Sequence, residues 1–218
     1  MINRTARELI WLGGKVIYQK WFNLKCYGKE NLPRDRGYII AANHTSHLDA
    51  PAVIAALEVH LDWVYSLAAQ DYFFNNSVKS WLCHNWLNMI PFKRRGKFLD
   101  CLPACQEVIG QKKPILFFPE GTRSTNGRLQ PLKLGIGILA IKLNVPIVPT
   151  YIQGTFQALP KGKRFPKKCS LEVTFGSPLE SDRYLSLDNS CSDRYIYQSI
   201  ARDVYVAIGQ LQSKKTKI

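Results

Sequence analysis

With 218 residues, 46% of them hydrophobic, the chain can bury one sizeable core, and no linker or internal repeat divides it, which excludes a multidomain or solenoid layout. Thirty Lys and Arg against 16 Asp and Glu give a formal net charge of +14 and a sequence pI near 9.6, a balance that seeks an anionic partner. The six cysteines (26, 83, 101, 105, 169 and 191) show neither Cys-x-x-Cys nor secreted-scaffold spacing, so reduced, mostly buried thiols and no metal site are expected.

The first element runs from Leu9 to Leu24 and is rich in Leu, Ile, Trp, Val, Tyr and Phe. Glu8, Lys15, Gln19 and Asn23 form a narrow polar stripe, which makes the segment too polar to span a bilayer. A helix with Trp11, Leu12, Trp21 and Phe22 on its other sides is expected to lie in a membrane interface, with a kink at Gly13-Gly14. A core helix packed on a sheet is the alternative, because so many faces are apolar. Neither a cleavable signal nor a long transmembrane run is evident. Residues 1–27 are therefore set apart as an N-terminal segment and 28–218 as the catalytic-type domain.

Next comes an apolar strand over 38–42, which delivers Asn43-His44-Thr45-Ser46-His47-Leu48-Asp49 into a short polar turn. Asp49, followed by Ala-Pro-Ala, reads as the N-cap of a helix over 49–58 with proline in its first turn. His44 then stands at the carboxyl end of a strand, where open α/β sheets bind their ligands. His44 and Asp49 have the layout of a general base with its orienting carboxylate, although a turn His and a capping Asp are also ordinary surface residues.

A strand over 63–69, a helix over 98–111 and a strand over 114–118 follow. The last runs straight into Pro119-Glu120-Gly121-Thr122-Arg123-Ser124. This loop offers a carboxylate, a glycine for close backbone approach, a hydroxyl and a guanidinium whose fork suits phosphate. Two polar loops at two strand ends suggest one site. A helix over 133–143 and strands over 146–152 and 170–176 complete an α/β alternation, from which a single α/β domain with a mixed, mostly parallel sheet flanked by helices is expected. Between the last two strands, Lys161, Lys163, Arg164, Lys167 and Lys168 sit near Phe156 and Phe165 on a Pro- and Gly-punctuated loop, a surface suited to anionic headgroups or an acidic carrier protein. The tail with Lys214, Lys215 and Lys217 reads as a solvated, frayed end.

These motifs resemble those of the lysophosphatidate acyltransferases, the glycerophospholipid acyltransferases marked by His-x4-Asp. His44 and Asp49 occupy that motif with Asn43 before it, and Phe118 to Ser124 reproduces the Phe-Pro-Glu-Gly-Thr-Arg-Ser block. Met89 to Arg94 is similar to the second block, with Asn88 where glycine is usual; Lys133-Leu134-Gly135 is similar to the Lys-x-Gly that opens the intervening helix, and Val145 to Thr150 to the fourth block.

The resemblance, which spans roughly residues 28 to 178, implies transfer of a fatty acyl chain from acyl carrier protein or coenzyme A to the sn-2 hydroxyl of 1-acyl-glycerol-3-phosphate, giving phosphatidate; from the N-terminal segment, a peripheral or monotopic place at the cytoplasmic face of a membrane is expected. A histidine, with an ordinary pKa of about 6.5, is suited to remove the acceptor's proton, a task commonly worth about 10²- to 10⁴-fold in rate. On this resemblance His44 is expected to be that base, with Asp49 fixing its tautomer. Arg123 is expected to clamp the phosphate, with Thr122 and the Gly121 amide adding hydrogen bonds and Arg94 or Lys133 adding charge at the edge. Glu120, which would repel phosphate, is assigned to orienting Arg123 or to a glycerol hydroxyl. His47 is expected to pack or cap, and His60 and His84 to be structural. With no Gly-x-Ser-x-Gly elbow, no acyl-enzyme is required and no cofactor beyond the thioester carrier is implied. Two alternatives stay open: another acceptor such as glycerol 3-phosphate or a different lysophospholipid, and a non-enzymatic module that binds anionic lipid. No nucleic-acid recognition motif is present.

Overall fold

Seven strands form one sheet: β1 (Lys25–Tyr27), β2 (Ile39–Ala42), β3 (Tyr65–Ala69), β4 (Met89–Phe92), β5 (Ile115–Phe117), β6 (Ile147–Gln153) and β7 (Glu172–Phe175). They lie in the order β1-β7-β6-β2-β5-β3-β4 in a computed structural model that describes residues 4–73, 88–93, 98–185 and 192–215. The five strands from β6 to β4 run parallel, β7 runs antiparallel to β6, and β1 pairs parallel with β7. β2 is flanked on both sides, Ile39 standing opposite Ile115 and Ile147, so all four of its residues are buried. That is why the segment reads as a continuous apolar run and not as an alternation.

Helices cover both faces. Ile39 and Ala41 point into a core shared with α3 (Leu102–Gly110), α4 (Gly135–Leu143) and α5 (Asp193–Lys215). Ile40 and Ala42 point into a second core built on α2 (Asp49–Leu57), Tyr18 and Phe22. The chain is thus a three-layer α/β domain, with the loops that follow β2 and β5 emerging side by side at the carboxyl ends of these neighbouring parallel strands.

Four features depart from the sequence reading. β1 and β4 are strands that it left unassigned; β4 carries Pro91 and lies at the sheet edge, where a missing N–H is tolerated. α5 replaces the frayed tail, extending as far as Lys215, with Tyr197, Ile200, Ala201, Val204 and Ile208 buried along one side. The N-terminal helix α1 (Arg4–Val16) passes through Gly13 and Gly14 unbroken and changes to a π turn at Ile17–Trp21. Finally, that N-terminal segment is part buried and part exposed. Tyr18 and Phe22 are in the core, while Leu9, Leu12, Val16, Ile17 and Trp21 face solvent, each about half exposed or more. No helix among the described residues is long and apolar enough to cross a membrane.

Candidate active site

β2 ends at Ala42, and the next side chain extends its ladder. The Asn43 amide donates to Ile152 O at 3.0 Å and accepts from Ile152 N–H at 2.7 Å, fastening the loop's start to β6. His44 follows with its Nδ1 2.8 Å from Asp49 Oδ2; its side chain is 21% exposed and that of Asp49 is wholly buried. The same Oδ2 accepts the Thr45 and Ser46 N–H groups at 2.6 and 2.8 Å. Asp49 is therefore the first residue of α2 and not its N-cap: its carboxylate turns back onto the loop instead of satisfying the helix's own amides. Oδ1 is buried with no partner among the described residues. Ser46 Oγ donates to Leu159 O at 2.7 Å and accepts the Leu48 N–H, and Thr45 and Thr155 hydroxyls meet at 3.0 Å, so the loop is tied to the chain beyond β6.

The loop after β5 holds His44 from the other side. The Phe118 ring stacks on the imidazole with centroids 4.0 Å apart. Glu120, 3% exposed, accepts the His44 N–H on Oε1 at 2.6 Å and the Gln130 N–H on Oε2 at 3.1 Å, while Ser124 N–H donates to His44 O at 2.8 Å. Both peptide groups of His44 are fixed by one neighbouring loop. This corrects the expectation for Glu120, whose two oxygens serve backbone amides and so clamp the His44 loop. Burial pushes its carboxyl up to about 7, against the lowering by the two amide donors, with the Asp49 charge adding to the rise.

Gly121 has φ +73°, and a Cβ there would lie 2.8 Å from Lys133 Nζ. Its amide already donates to Phe118 O at 3.1 Å, so it is not free for an anion. Lys133 packs over this turn, its own N–H on Pro119 O at 2.9 Å, and does not line the cavity. Arg94 falls outside the described residues, as do Cys83, His84 and Cys191. Cys101 and Cys105 are buried, and the Cys101 thiol donates to Phe98 O at 3.1 Å.

A cavity of about 550 Å³ opens in front of His44. Its rim carries His47, Thr122, Arg123 and Lys161; its walls are apolar, from Ile54 of α2, Leu67 to Ala69 of β3, Met89 and Phe92 of β4, and Trp11, Gly14 and Tyr18 of the N-terminal segment. The Tyr18 hydroxyl donates to Leu48 O at 3.2 Å, next to Asp49, and burial followed by that residue's charge raises its pKa well above the usual phenol range. Sequence reasoning missed Tyr18, Asn43, Ser124 and Lys161 as site-building residues. The Asn that precedes the histidine and the Ser that closes the second motif were visible signals; nothing local marks Tyr18. Of the two roles expected for His47, packing is the one seen: its ring stacks on Tyr72 and bonds its hydroxyl, and it also lines the cavity.

A sequence profile described as acyltransferase matches residues 23–153, which include both loops and most of the cavity wall. The chain belongs to the acyltransferase family. Among relatives of this acyltransferase-family chain is a chloroplastic 1-acyl-sn-glycerol-3-phosphate acyltransferase of Brassica napus, 35% identical over 154 residues, 69% of this chain and 43% of that protein. Another is the 1-acyl-sn-glycerol-3-phosphate acyltransferase of Bacillus subtilis, 27% identical over 173 residues, 79% of this chain and 82% of the relative. The chain spans less than half the length of the Brassica protein. The crystal structure of a 1-acyl-sn-glycerophosphate acyltransferase from Thermotoga maritima shares the fold, with a TM-score of 0.64 at 24% identity over 94% of this chain and 82% of the other.

Proposed function

We propose that the protein transfers a fatty acyl chain from an acyl thioester to the sn-2 hydroxyl of 1-acyl-glycerol-3-phosphate, forming phosphatidate, with His44 as general base. The observation that carries this reading is the His44–Asp49 pair at 2.8 Å, opening onto an apolar cavity with Arg123 at its rim. Asp49 keeps the proton on Nδ1, leaving Nε2 to take the acceptor's hydroxyl proton as oxygen attacks the thioester carbonyl. The tetrahedral intermediate then expels the thiolate, which recovers the proton from the imidazolium. Acyl-CoA and acyl carrier protein thioesters would both serve, and neither requires a cofactor.

Arg123, with the exposed Thr122 hydroxyl beside it, is the phosphate clamp in this reading, and Lys133 and Arg94 contribute positive field. The apolar wall suits acyl chains, which favours a lysolipid acceptor over a bare polyol phosphate. The exposed Leu9, Leu12, Val16, Ile17 and Trp21 and the basic loop around Phe165 support attachment to an anionic membrane surface, with residues 1–27 as the interfacial segment.

The test is acyl transfer by the wild type and His44→Ala, with coenzyme A and acyl carrier protein thioesters offered separately against lysophosphatidate, glycerol 3-phosphate and neutral lysolipids. Transfer to lysophosphatidate that falls at least about 10²-fold in the variant is expected. Equal activity in the two proteins would remove His44 from the mechanism.

A further inference from the structure

Arg123 is not alone at the cavity rim. His47 reaches it from the first loop and Lys161 from the basic loop after β6, so three separate segments place nitrogen donors around one opening. His47 Nε2 lies 3.2 Å from the Tyr72 hydroxyl, with the two rings stacked at 6.0 Å, so one ring nitrogen already has a partner within the protein. We infer that His47 is a ligand to the acceptor's phosphate, acting with Arg123 and Lys161, and that it selects a phosphomonoester over a phosphodiester. This rests on the reading of the cavity as the acceptor site.

The charge environment explains the selectivity. Burial, then Arg123, then His44 lower the His47 pKa from its ordinary value, and only the Asp49 charge opposes them. These surroundings favour the neutral imidazole of His47. A phosphomonoester, with a second pKa of about 6, brings close to two negative charges where a diester brings one. That field favours the imidazolium, so a proton is taken up as the acceptor binds, and His47 gains a charge-assisted hydrogen bond that a diester induces only weakly.

Titration calorimetry of the full chain with a short-chain 1-acyl-glycerol-3-phosphate, at pH 7 in buffers of different ionisation enthalpy, measures affinity and proton uptake together. His47→Asn keeps a polar contact for Tyr72 but cannot titrate, and the difference from wild type isolates His47 from the phosphate's own protonation. The variant is expected to lose the uptake and to bind the phosphomonoester roughly ten- to a hundredfold more weakly. The methyl diester of the same ligand should bind both proteins alike. Uptake that persists in His47→Asn, or equal weakening for monoester and diester, would overturn the assignment. Wild-type binding with His47-linked uptake but no acyl transfer would leave the anion site standing and remove the acyltransfer reading. Transfer with an unchanged acceptor KM in His47→Asn would do the reverse.

Discussion

Glu120 shows what a single residue contributes when its two oxygens are counted. In its ionised form it accepts the N–H groups of His44 and Gln130 together, and in its protonated form one oxygen becomes a hydroxyl that can donate and that accepts its amide more weakly. Its carboxyl lies at about 7, above the 4.5 of an unstrained Glu, so the fold favours the protonated acid. The contribution to stability is complete below the unfolded value and is lost as pH rises through about 7. Glu120→Gln cannot titrate. Denaturant unfolding from pH 4.5 to 7.5 should therefore show wild type losing up to about 3 kcal/mol relative to the variant. A gap that stays constant with pH would place the titration elsewhere. At pH 8 the Gln variant leaves one buried N–H unpaired, a cost of about 1–3 kcal/mol that should lower kcat while sparing the acceptor KM, because the residue holds His44 and does not hold substrate. The sequence made Glu120 awkward as a phosphate ligand, and that awkwardness was the legible signal. Its true partners are backbone amides 76 and 10 residues away, which no local pattern encodes.

At the scale of elements, the strands that carry the site were legible because they are buried on both faces: Ile39 to Ala42 and Ile115 to Phe117 leave no polar alternation to misread. β1 was not, being three residues long and half exposed. α5 had a signal that went unassigned, since positions 197, 200, 201, 204 and 208 repeat at helical spacing, while only the lysines at its very end were read, as a solvated tail. The place where α5 crosses α4 depends on a glycine. A Cβ on Gly137 would lie 2.6 Å from Tyr197 Cα and 2.7 Å from its carbonyl oxygen, both backbone atoms that move only with the whole helix. Gly137→Ala improves intrinsic helix propensity by about 1 kcal/mol, yet overpacking at this contact should reverse that and leave a net loss of about 1–3 kcal/mol in denaturant unfolding. Gly110, whose added Cβ meets nothing within 4 Å, is the internal comparison: its alanine variant should show no such loss.

For the whole molecule, the +14 charge and the exposed apolar row have to be read together, because the cavity touches both. Trp11, Gly14 and Tyr18 of the N-terminal segment form part of its wall and Lys161 part of its rim, so the surface around the opening is apolar on one side and basic on another. Phe165, 84% exposed, stands amid Lys163, Arg164, Lys167 and Lys168 on the same loop as Lys161. A bilayer has matching layers, anionic headgroups above hydrocarbon, and a protein seated with this opening against it would draw a lysolipid in without exposing the chain to water. The two contributions differ in their response to salt. Each cation near an anionic surface contributes about 1 kcal/mol and is screened as ionic strength rises, whereas aromatic and aliphatic insertion is not. Replacing Lys163, Arg164 and Lys167 with Gln should therefore weaken binding to vesicles containing anionic lipid by about 10²-fold at low salt, and the difference from wild type should shrink toward nothing in 1 M salt. Residual wild-type binding at high salt then measures the apolar row of α1. If the triple variant binds as wild type does in flotation at low salt, the loop faces water and α1 alone carries the attachment.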